Sequence, residues 1–222
     1  MSGAYRLVIF DWDGTLMDSV GRIVSCMQKS ALDCSLPIPS TEQVKEIIGL
    51  SLREAMPRLF ADVTDAQVDA LIVRYREHYL FLDETPTPLF PGVAEVITSL
   101  HAQGFILAVA TGKARAGLDR VLQETGLASF FHASRGADEA RSKPDPLMLE
   151  QLLADLEIPL HQAVMVGDSI HDMAMAKQLG MARIGISWGV HSAERLEIYQ
   201  PQAVIASLNL LPTLLASGLS HG

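Results

Sequence analysis

The sequence predicts an α/β protein: a parallel sheet with an α-helical domain inserted after its first strand. Over residues 5–16 and about 88–210, short apolar runs alternate with helical patterns. This order builds a parallel sheet that is covered by helices on both faces. Residues 17–86 contain no convincing strand. We therefore predict a core formed by 1–16 and 87–222 and a helical domain formed by 17–86, a division that a chain of 222 residues accommodates.

The predicted sheet has five strands, each a short run of apolar and β-branched residues. They lie at 5–10, 105–110, 163–166, 182–186 and 203–206. Apolar residues at helical spacing predict helices between them, near 92–103, 115–125, 146–156 and 170–179. Strand and helix therefore alternate, as the crossover connections of a parallel sheet require.

The inserted segment carries three capping-box patterns, in which a hydroxyl residue is followed three positions later by Glu or Gln. The pairs are Ser40 with Gln43, Ser51 with Glu54, and Thr64 with Gln67. Apolar residues at helical spacing follow each pair, so we expect a small helical bundle. Three prolines between positions 86 and 91 predict a stiff connection back to the core.

Composition limits the partners of the protein. It carries 26 acidic against 17 basic residues, a formal net charge of −9, which disfavours nucleic acid and anionic membrane surfaces as partners. Apolar residues make up 49% of the chain, yet no run approaches the ~18 residues of a membrane span. We expect a cytoplasmic monomer or homodimer that does not bind membranes, with Cys26 and Cys34 as free thiols.

Two carboxylates stand where the first strand ends. The run 5–10 leads directly into Asp11-Trp12-Asp13-Gly14-Thr15-Leu16, and open α/β sheets bind ligands at the carboxyl ends of their strands. Further polar groups follow other predicted strands or precede a helix: Thr111-Gly112, Lys143, and Asp168 with Asp172. Because parallel strands end at the same edge of a sheet, we expect these side chains to converge there.

The expected cluster suits phosphoryl transfer. Several carboxylates in one crevice repel each other, and Mg²⁺, which prefers oxygen ligands, relieves that repulsion. A lysine and a threonine hydroxyl supply donors for a phosphoryl group. One ionised aspartate can act as a nucleophile, and a second aspartate beside it can hold a proton for the leaving group.

These motifs resemble, in order and spacing, the four motifs of the haloacid dehalogenase superfamily, and most closely its phosphoglycolate phosphatase-like branch with a helical cap. The resemblance spans 5 to about 207 and implies a Rossmann-like core with a mobile cap. It implies that Asp11 attacks phosphorus, and that Asp13 protonates the leaving oxygen and then activates water. It also implies Mg²⁺ held by the Asp11 carboxylate, the Asp13 carbonyl and Asp168.

The same resemblance implies a set of phosphate-binding and positioning groups. Lys143 would neutralise Asp11 and the phosphoryl group, and Asp172 would position Lys143 or a metal-bound water. The phosphate-binding positions are Trp12, Asp13, Thr111, Gly112 and Lys143, where the backbone N–H groups of Trp12 and Asp13 would supply donors. Gly14 allows the loop after the first strand to bend tightly.

The implied activity is a phosphatase that hydrolyses a small phosphorylated metabolite through an aspartyl-phosphate. Dehalogenases of the superfamily lack the second aspartate, so Asp13 favours phosphate ester hydrolysis. A phosphomutase or a pyrophosphatase on the same site stays open, as does a non-catalytic phosphate-sensing module. The sequence also leaves open whether Arg53, Lys113 or Arg115 contacts the substrate.

Overall fold

A computed structural model describes residues 5–216, and at its centre lies a six-stranded parallel sheet. The strands are β1 (Leu7–Phe10), β2 (Ile106–Ala110), β3 (Ala133–Arg135), β4 (Ala163–Gly167), β5 (Ala182–Ile186) and β6 (Ala203–Ile205), in the order β3-β2-β1-β4-β5-β6. The predicted α/β class is confirmed. Five strands coincide with the predicted runs. The sixth, β3, escaped the pattern because its three half-buried residues, Ala-Ser-Arg, form no apolar run at the edge of the sheet.

The register of the central strands brings their carboxyl ends to one level. Phe10 at the end of β1 pairs with Val109 of β2 on one side and with Val166 of β4 on the other. The loops that follow these three strands therefore leave the sheet side by side. This is the edge at which the sequence motifs were expected to meet.

Between β1 and β2 the chain is mainly helical. It forms α1 (Val20–Asp33), α2 (Thr41–Ile47), α3 (Leu52–Leu59) and α4 (Asp65–Glu77), followed by a π-helical turn at His78–Leu82. These elements pack around a hydrophobic cluster of their own, in which Met27, Met56 and Leu71 are fully buried. We refer to residues 20–82 as the helical bundle.

The predicted capping residues begin three helices of the bundle. The Ser40 and Thr64 hydroxyls each accept from the N–H three residues on, and the Gln side chain at that position accepts from the cap N–H. Ser51 accepts from the Glu54 N–H in the same way. Its own N–H, however, donates to the Ser142 hydroxyl in the core at 2.8 Å. The third capping pattern thus joins the bundle to the core.

The part of the core within residues 5–216 contains six further α-helices: α5 (Val93–Ala102), α6 (Arg115–Glu124), α7 (Leu147–Asp155), α8 (Ile170–Leu179), α9 (Ala193–Glu197) and α10 (Leu211–Ala216). Alternate residues of β1 face opposite sides of the sheet. Val8 and Phe10 belong to the cluster that includes α5, α6 and α10, whereas Leu7 and Ile9 belong to the cluster that includes α7 and α8. Burial on both faces explains why β1 is apolar at every position.

Two chain segments connect the bundle to the core, and they are hydrogen-bonded to each other. Met17, on the outgoing segment, forms isolated bridges with Asp13 and with Leu89 on the returning one. The Asp18 N–H donates to the Pro88 carbonyl at 2.8 Å. The connection is therefore a short paired ribbon, and Met17 in it lies four residues after Asp13.

Two smaller expectations also concern the described residues. Cys26 is buried and Cys34 is partly buried, and both are free, as predicted. Within residues 5–216, none of the helices is both long enough and apolar enough to cross a bilayer.

Candidate active site

The residues picked out by the sequence motifs meet at the carboxyl edge of the sheet and are buried there. Asp11 directly follows β1, and its N–H donates to the Val166 carbonyl of β4 at 3.0 Å. The side chains that share this edge are almost inaccessible to solvent: Asp11, Asp13, Thr111, Lys143, Asp168 and Asp172. Buried charges require partners, so the contacts among these groups describe the site.

Lys143 joins two of the aspartates. Its Nζ atom donates to Oδ1 of Asp11 at 2.7 Å and to Oδ1 of Asp172 at 2.7 Å. Burial acts to lower the pKa of Lys143, but the two carboxylates outweigh it and hold the pKa above its ordinary value. Lys143 is therefore a fixed positive charge in contact with Asp11.

Asp172 is held from its other side by its own helix. Its Oδ2 accepts from the hydroxyl and the N–H of Ser169, at 2.7 and 3.1 Å, and the Ser169 hydroxyl accepts from the Asp172 N–H. This is a capping box at the start of α8. Ser169 was missed by the sequence analysis, although the Ser-x-x-Asp spacing repeats the pattern recognised three times in the bundle.

Asp168 is held by two neutral donors. Its Oδ1 accepts from the Thr15 hydroxyl at 2.9 Å, and its Oδ2 accepts from the Val190 N–H at 2.8 Å. Burial, followed by the charge of Asp172, raises the pKa of Asp168 to about 7. The negative charge of Asp168 is thus incompletely compensated within the protein.

Glycine is required on two sides of Asp168. A Cβ on Gly14, whose φ is +80°, would lie 2.3 Å from Oδ2 of Asp168, and a Cβ on Gly189 would lie 2.1 Å from its Cβ. Only a residue without a side chain permits this approach. The contacts of Gly189 and of the Val190 N–H with Asp168 could not be predicted from the sequence. These residues lie about 20 positions from Asp168 in the chain, and only the folding of the chain brings them next to it.

A divalent cation fits these carboxylates. Oxygen atoms of Asp11, Asp168 and Asp172 lie within 4.8 Å of one another, and Oδ2 of Asp11 is buried without a hydrogen-bond partner among the described residues. Burial raises the pKa of Asp11 well above its ordinary value, since Lys143 offsets that effect only in part and the two nearby aspartates add to it. Asp172 already binds Lys143 and Ser169, so Asp11 and Asp168 are the carboxylates best placed to hold a cation.

Asp13 has a separate set of partners. Its Oδ1 accepts from the Ser19 hydroxyl at 2.5 Å and is paired with Nζ of Lys113 at 2.9 Å. Lys113 also donates to the hydroxyl of Tyr79, in the bundle, at 3.1 Å. Burial acts to lower the pKa of Lys113, but Asp13 and Tyr79 outweigh it and raise the pKa.

Of the three cations that the sequence left open, Lys113 alone lies in this site. Arg115 is paired with Asp119 and Glu139 on the core surface. Arg53 forms an exposed ion pair with Asp69 inside the bundle. Each of those two arginines is therefore occupied away from the buried aspartates.

The remaining predicted phosphate-binding positions border the aspartates. Thr111 directly follows β2, as Asp11 directly follows the neighbouring strand β1, and its hydroxyl accepts from the Lys113 N–H at 3.2 Å. Trp12 is fully buried, with its ring edge against Phe131 and its indole N–H directed to the sulfur of Met17. The large Trp12 side chain thus lies in the hydrophobic core and leaves only the backbone of this residue at the site.

The helical bundle covers the site. A Cβ on Gly112 would lie 2.7 Å from the Gly49 carbonyl and 2.8 Å from the Leu50 carbonyl, so the loop after α2 rests directly on the end of β2. Nearby, His171 contacts the Glu46 carbonyl at 2.9 Å, and the Glu46 carboxylate forms an ion pair with Arg195. These contacts surround the aspartates with protein on the side opposite the sheet.

Comparison with proteins of known sequence gives matches over most of the chain. The family model described as haloacid dehalogenase-like hydrolase matches residues 8–186. A protein named "Probable phosphatase IndB" from Dickeya dadantii (strain 3937) is 39% identical over 203 residues, which cover 90% of this chain and 88% of that protein.

Two other relatives have equal identity and different names. "Pyrophosphatase PpaX" of Listeria innocua serovar 6a is 29% identical and covers 94% of this chain and 95% of its own length. "Phosphoglycolate phosphatase" of Vibrio parahaemolyticus serotype O3:K6 is also 29% identical, over 95% of this chain and 96% of its own.

Among solved structures, one from Bacteroides fragilis, described as a "putative haloacid dehalogenase-like hydrolase", superimposes with a TM-score of 0.86. It is 26% identical and covers 93% of this chain and 99% of that chain.

Proposed function

The chain belongs to the haloacid dehalogenase-like hydrolase family, and on that premise we propose that it is a Mg²⁺-dependent phosphatase of small phosphorylated metabolites. The proposal depends above all on Asp11. One of its carboxylate oxygens is held by Lys143, the other is buried with no hydrogen-bond partner in residues 5–216, and Asp13 follows two residues later. That is the arrangement expected of a nucleophile with an acid–base partner beside it.

We infer that Asp11 and Asp168, with the backbone carbonyl of Asp13, hold Mg²⁺. The chemistry that Mg²⁺ supplies when bound is electrostatic, since it offsets the negative charge of the phosphoryl group and of the carboxylates. The Lys143 ammonium group supplies a further positive charge, in contact with Oδ1 of Asp11. Thr111 and the backbone N–H groups of Trp12, Asp13 and Gly112 would donate to the phosphoryl oxygens.

In the first half of the reaction the Asp11 carboxylate attacks phosphorus. The bond between phosphorus and the leaving oxygen breaks, and Asp13 transfers its proton to that oxygen, which leaves as an alcohol. Ser19 and Lys113 both contact Oδ1 of Asp13, and the proton would be carried by Oδ2. The product of this half-reaction is an aspartyl-phosphate on Asp11.

In the second half Asp13, now a carboxylate, takes a proton from a water molecule. The resulting hydroxide attacks phosphorus, the bond to Asp11 breaks, and inorganic phosphate leaves. Asp172 holds Lys143 in place throughout, because its other oxygen is fixed by Ser169. Each residue returns to its starting protonation state.

We further propose that residues 17–86 act as a cap that opens for substrate and closes for chemistry. The hydrophobic cluster of the helical bundle is separate from those of the core, and the paired ribbon at Met17 and Leu89 is the connection about which it would move. Closure would exclude bulk water from the aspartyl-phosphate.

Phosphate release distinguishes this function from its alternatives. We expect the purified protein with Mg²⁺ to release inorganic phosphate over many turnovers from a member of a panel of small phosphate esters. A phosphomutase would instead yield a rearranged phosphate ester, and a phosphate-sensing module would retain a long-lived aspartyl-phosphate without turnover. A pyrophosphatase, the activity in the name of one relative, would prefer pyrophosphate over every ester.

Asp11→Asn tests the nucleophile directly. We expect turnover to fall by more than about 10³-fold, equivalent to about 4 kcal/mol of transition-state stabilisation, with an unchanged circular dichroism spectrum. Asp119→Asn, at an exposed pair on α6, is the matched control and should retain full activity. Substantial turnover by Asp11→Asn would remove Asp11 from this role.

A further inference from the structure

Glu46, near the end of α2 in the bundle, is held by side chains of the core. Nη1 and Nη2 of Arg195, on α9, each donate to one of its carboxylate oxygens. These hydrogen bonds lower the pKa of Glu46 to about 2, so the pair is charged at neutral pH. The Glu46 carbonyl contacts Nε2 of His171, on α8, at 2.9 Å. We call the ion pair of Glu46 and Arg195 the α2–α9 pair.

A buried histidine of the core faces the same carboxylate. Nδ1 of His191 accepts from the Ile170 N–H at 3.3 Å, so the proton of the neutral ring lies on Nε2. Nε2 is buried and has no hydrogen-bond partner in the described part of the chain. It lies 3.6 Å from Oε2 of Glu46, just outside hydrogen-bond distance. This acceptor is present only while the bundle lies against the core.

The α2–α9 pair differs from the other arginine pairs of the bundle in what it connects. The pair of Arg53 with Asp69 and the pair of Arg74 with Glu77 each lie within the bundle. Among the described residues, the ion pairs that cross from the bundle to the core all involve Glu46. Charge therefore attracts the bundle to the core at this one side chain.

The turn that follows Glu46 carries a contact with the candidate active site. The Ser51 N–H donates to the Ser142 hydroxyl at 2.8 Å, and Ser142 directly precedes Lys143. A displacement of α2 from α9 would carry this turn away from the loop that bears Lys143. Glu46 is thus placed to hold the turn against the site.

From this arrangement we propose that the α2–α9 pair is a latch that holds the bundle closed over the site. The inference rests on the proposed role of the bundle as a cap, and it names a contact that sets how often the cap opens. The covalent connection is the ribbon at Met17 and Leu89, so the bundle opens where its contacts with the core are non-covalent. The side chains of Glu46 and Arg195 are 48% and 42% exposed. Water can therefore solvate both charges when they separate, and the pair can break and re-form.

Amide hydrogen exchange of Ser51 reports opening directly, because the N–H belongs to the bundle and its acceptor belongs to the core. The measurement uses NMR on the ligand-free, full-length protein. In Glu46→Gln and in Arg195→Gln we expect this N–H to exchange about threefold to fivefold faster than in wild type, the effect of losing a half-exposed ion pair. The N–H of Leu71, which is buried in the middle of α4, should keep its wild-type rate because the bundle opens without unfolding.

Two further variants separate the latch from a general effect of charge. Arg53→Gln breaks an exposed pair inside the bundle and should leave the Ser51 exchange rate within about 1.5-fold of wild type. The double variant of Glu46→Gln with Arg195→Gln should exchange no faster than the faster single variant, because both changes remove the same contact. Circular dichroism verifies that each protein is folded, and either single variant suffices if the other does not fold.

Two results would overturn the latch and leave the proposed function intact. One is a Ser51 exchange rate that is unchanged in Glu46→Gln and in Arg195→Gln. The other is a double variant in which the two single effects multiply, since the residues would then act independently. If Ser51 and Leu71 exchange at the same rate in wild type, the bundle does not open as a unit, and the cap is wrong together with its latch. No substrate is needed, so an absence of phosphate release would contradict the phosphatase function alone.

Discussion

Lys143 and Asp172 form an ion pair at 2.7 Å in which neither side chain has any exposure to solvent. The same lysine contacts Asp11 at the same distance, so the position of the candidate nucleophile is tied, through one ammonium group, to a helix-capping aspartate. Asp172 therefore has two roles: it completes the capping box at the start of α8, and it holds Lys143 in place.

Removing this aspartate should affect stability and activity together. For Asp172→Ala we expect a loss of about 3 kcal/mol in the free energy of unfolding, because a buried ammonium loses one of its two partners, and a fall in kcat of about tenfold or more. Asp172→Asn retains an acceptor for Lys143 and should lie between wild type and Asp172→Ala. Urea denaturation and steady-state kinetics measure the two effects. Stability equal to wild type in Asp172→Ala would contradict the structural role given to the pair.

Metal binding should be visible without any assay of turnover. Mg²⁺ at about 100 times its Kd contributes about 2.7 kcal/mol, and for a chain of 222 residues this raises Tm by roughly 5–10 °C. Chelation by EDTA should reverse the shift and stop phosphate release. Asp168→Asn should lose most of the shift, although its metal-free Tm should match or exceed that of wild type, since one of three crowded carboxylates is gone.

The comparison that decides this prediction is Asp168→Asn against Asp119→Asn, a change at an exposed pair on α6. Differential scanning fluorimetry with and without Mg²⁺ supplies the measurement. A full Mg²⁺ shift in Asp168→Asn would place the cation elsewhere.

If the bundle closes over the site as we propose, one added methyl group at Gly112 should interfere with that closure. The Cβ introduced by Gly112→Ala would lie 2.7 Å from the Gly49 carbonyl, closer than a carbon and an oxygen atom can approach, so the loop after α2 must move away from β2. We expect kcat/KM to fall about tenfold or more, the effect of misplacing a closing element, with little change in the thermal unfolding of the core.

Gly117→Ala is the matched control, because a Cβ there has no neighbour within 4 Å among the described residues. It should leave the kinetics unchanged and, inside helix α6, increase stability slightly. Equal kinetics in Gly112→Ala and wild type would show that the contact between Gly49 and Gly112 is not required for turnover.

The buried carboxylate of Asp83, which accepts hydrogen bonds from Ser25 and Lys29 of α1, should make the stability of the protein depend on pH. Burial acts to raise the pKa of Asp83, but hydrogen bonds from Lys29, Ser25 and Thr85 outweigh it and hold the pKa below its ordinary value. A carboxylate whose folded pKa is depressed contributes stability above its unfolded pKa of about 3.9, and loses it as pH falls through the folded pKa.

Asp83→Asn should accordingly cost about 1.5–3 kcal/mol near pH 7, the range for hydrogen bonds to a charged group, and the difference from wild type should shrink below about pH 4. Denaturation midpoints at pH 7 and pH 3 measure it. Asp69→Asn, at an exposed pair with Arg53, should change stability by less than about 1 kcal/mol at either pH. A difference for Asp83→Asn that grows on acidification would contradict the argument.

The architecture could be predicted from the sequence to within one or two residues at most boundaries. The apolar runs that became β1, β2, β4 and β5 are buried on both faces, so period and composition both mark them. The edge strand β3 could not be found in this way, because its three residues are half-buried and pair with a single neighbour. Two of the three capping boxes of the bundle formed completely, whereas the third exchanged its reciprocal bond for a contact with Ser142.

For the candidate site, the sequence by itself determined which acidic and basic residues stand at the ends of strands, because that follows from local pattern and from the parallel arrangement of the sheet. Only the tertiary structure decided how they are paired. Lys143 binds Asp11 and Asp172 while Lys113 binds Asp13, and Gly14, Gly189 and the Val190 N–H enclose Asp168. The physical reason is range: strand and helix signals act between near neighbours in the chain, whereas ion pairs and close approaches in a buried site join residues that are distant in sequence and have no shared pattern.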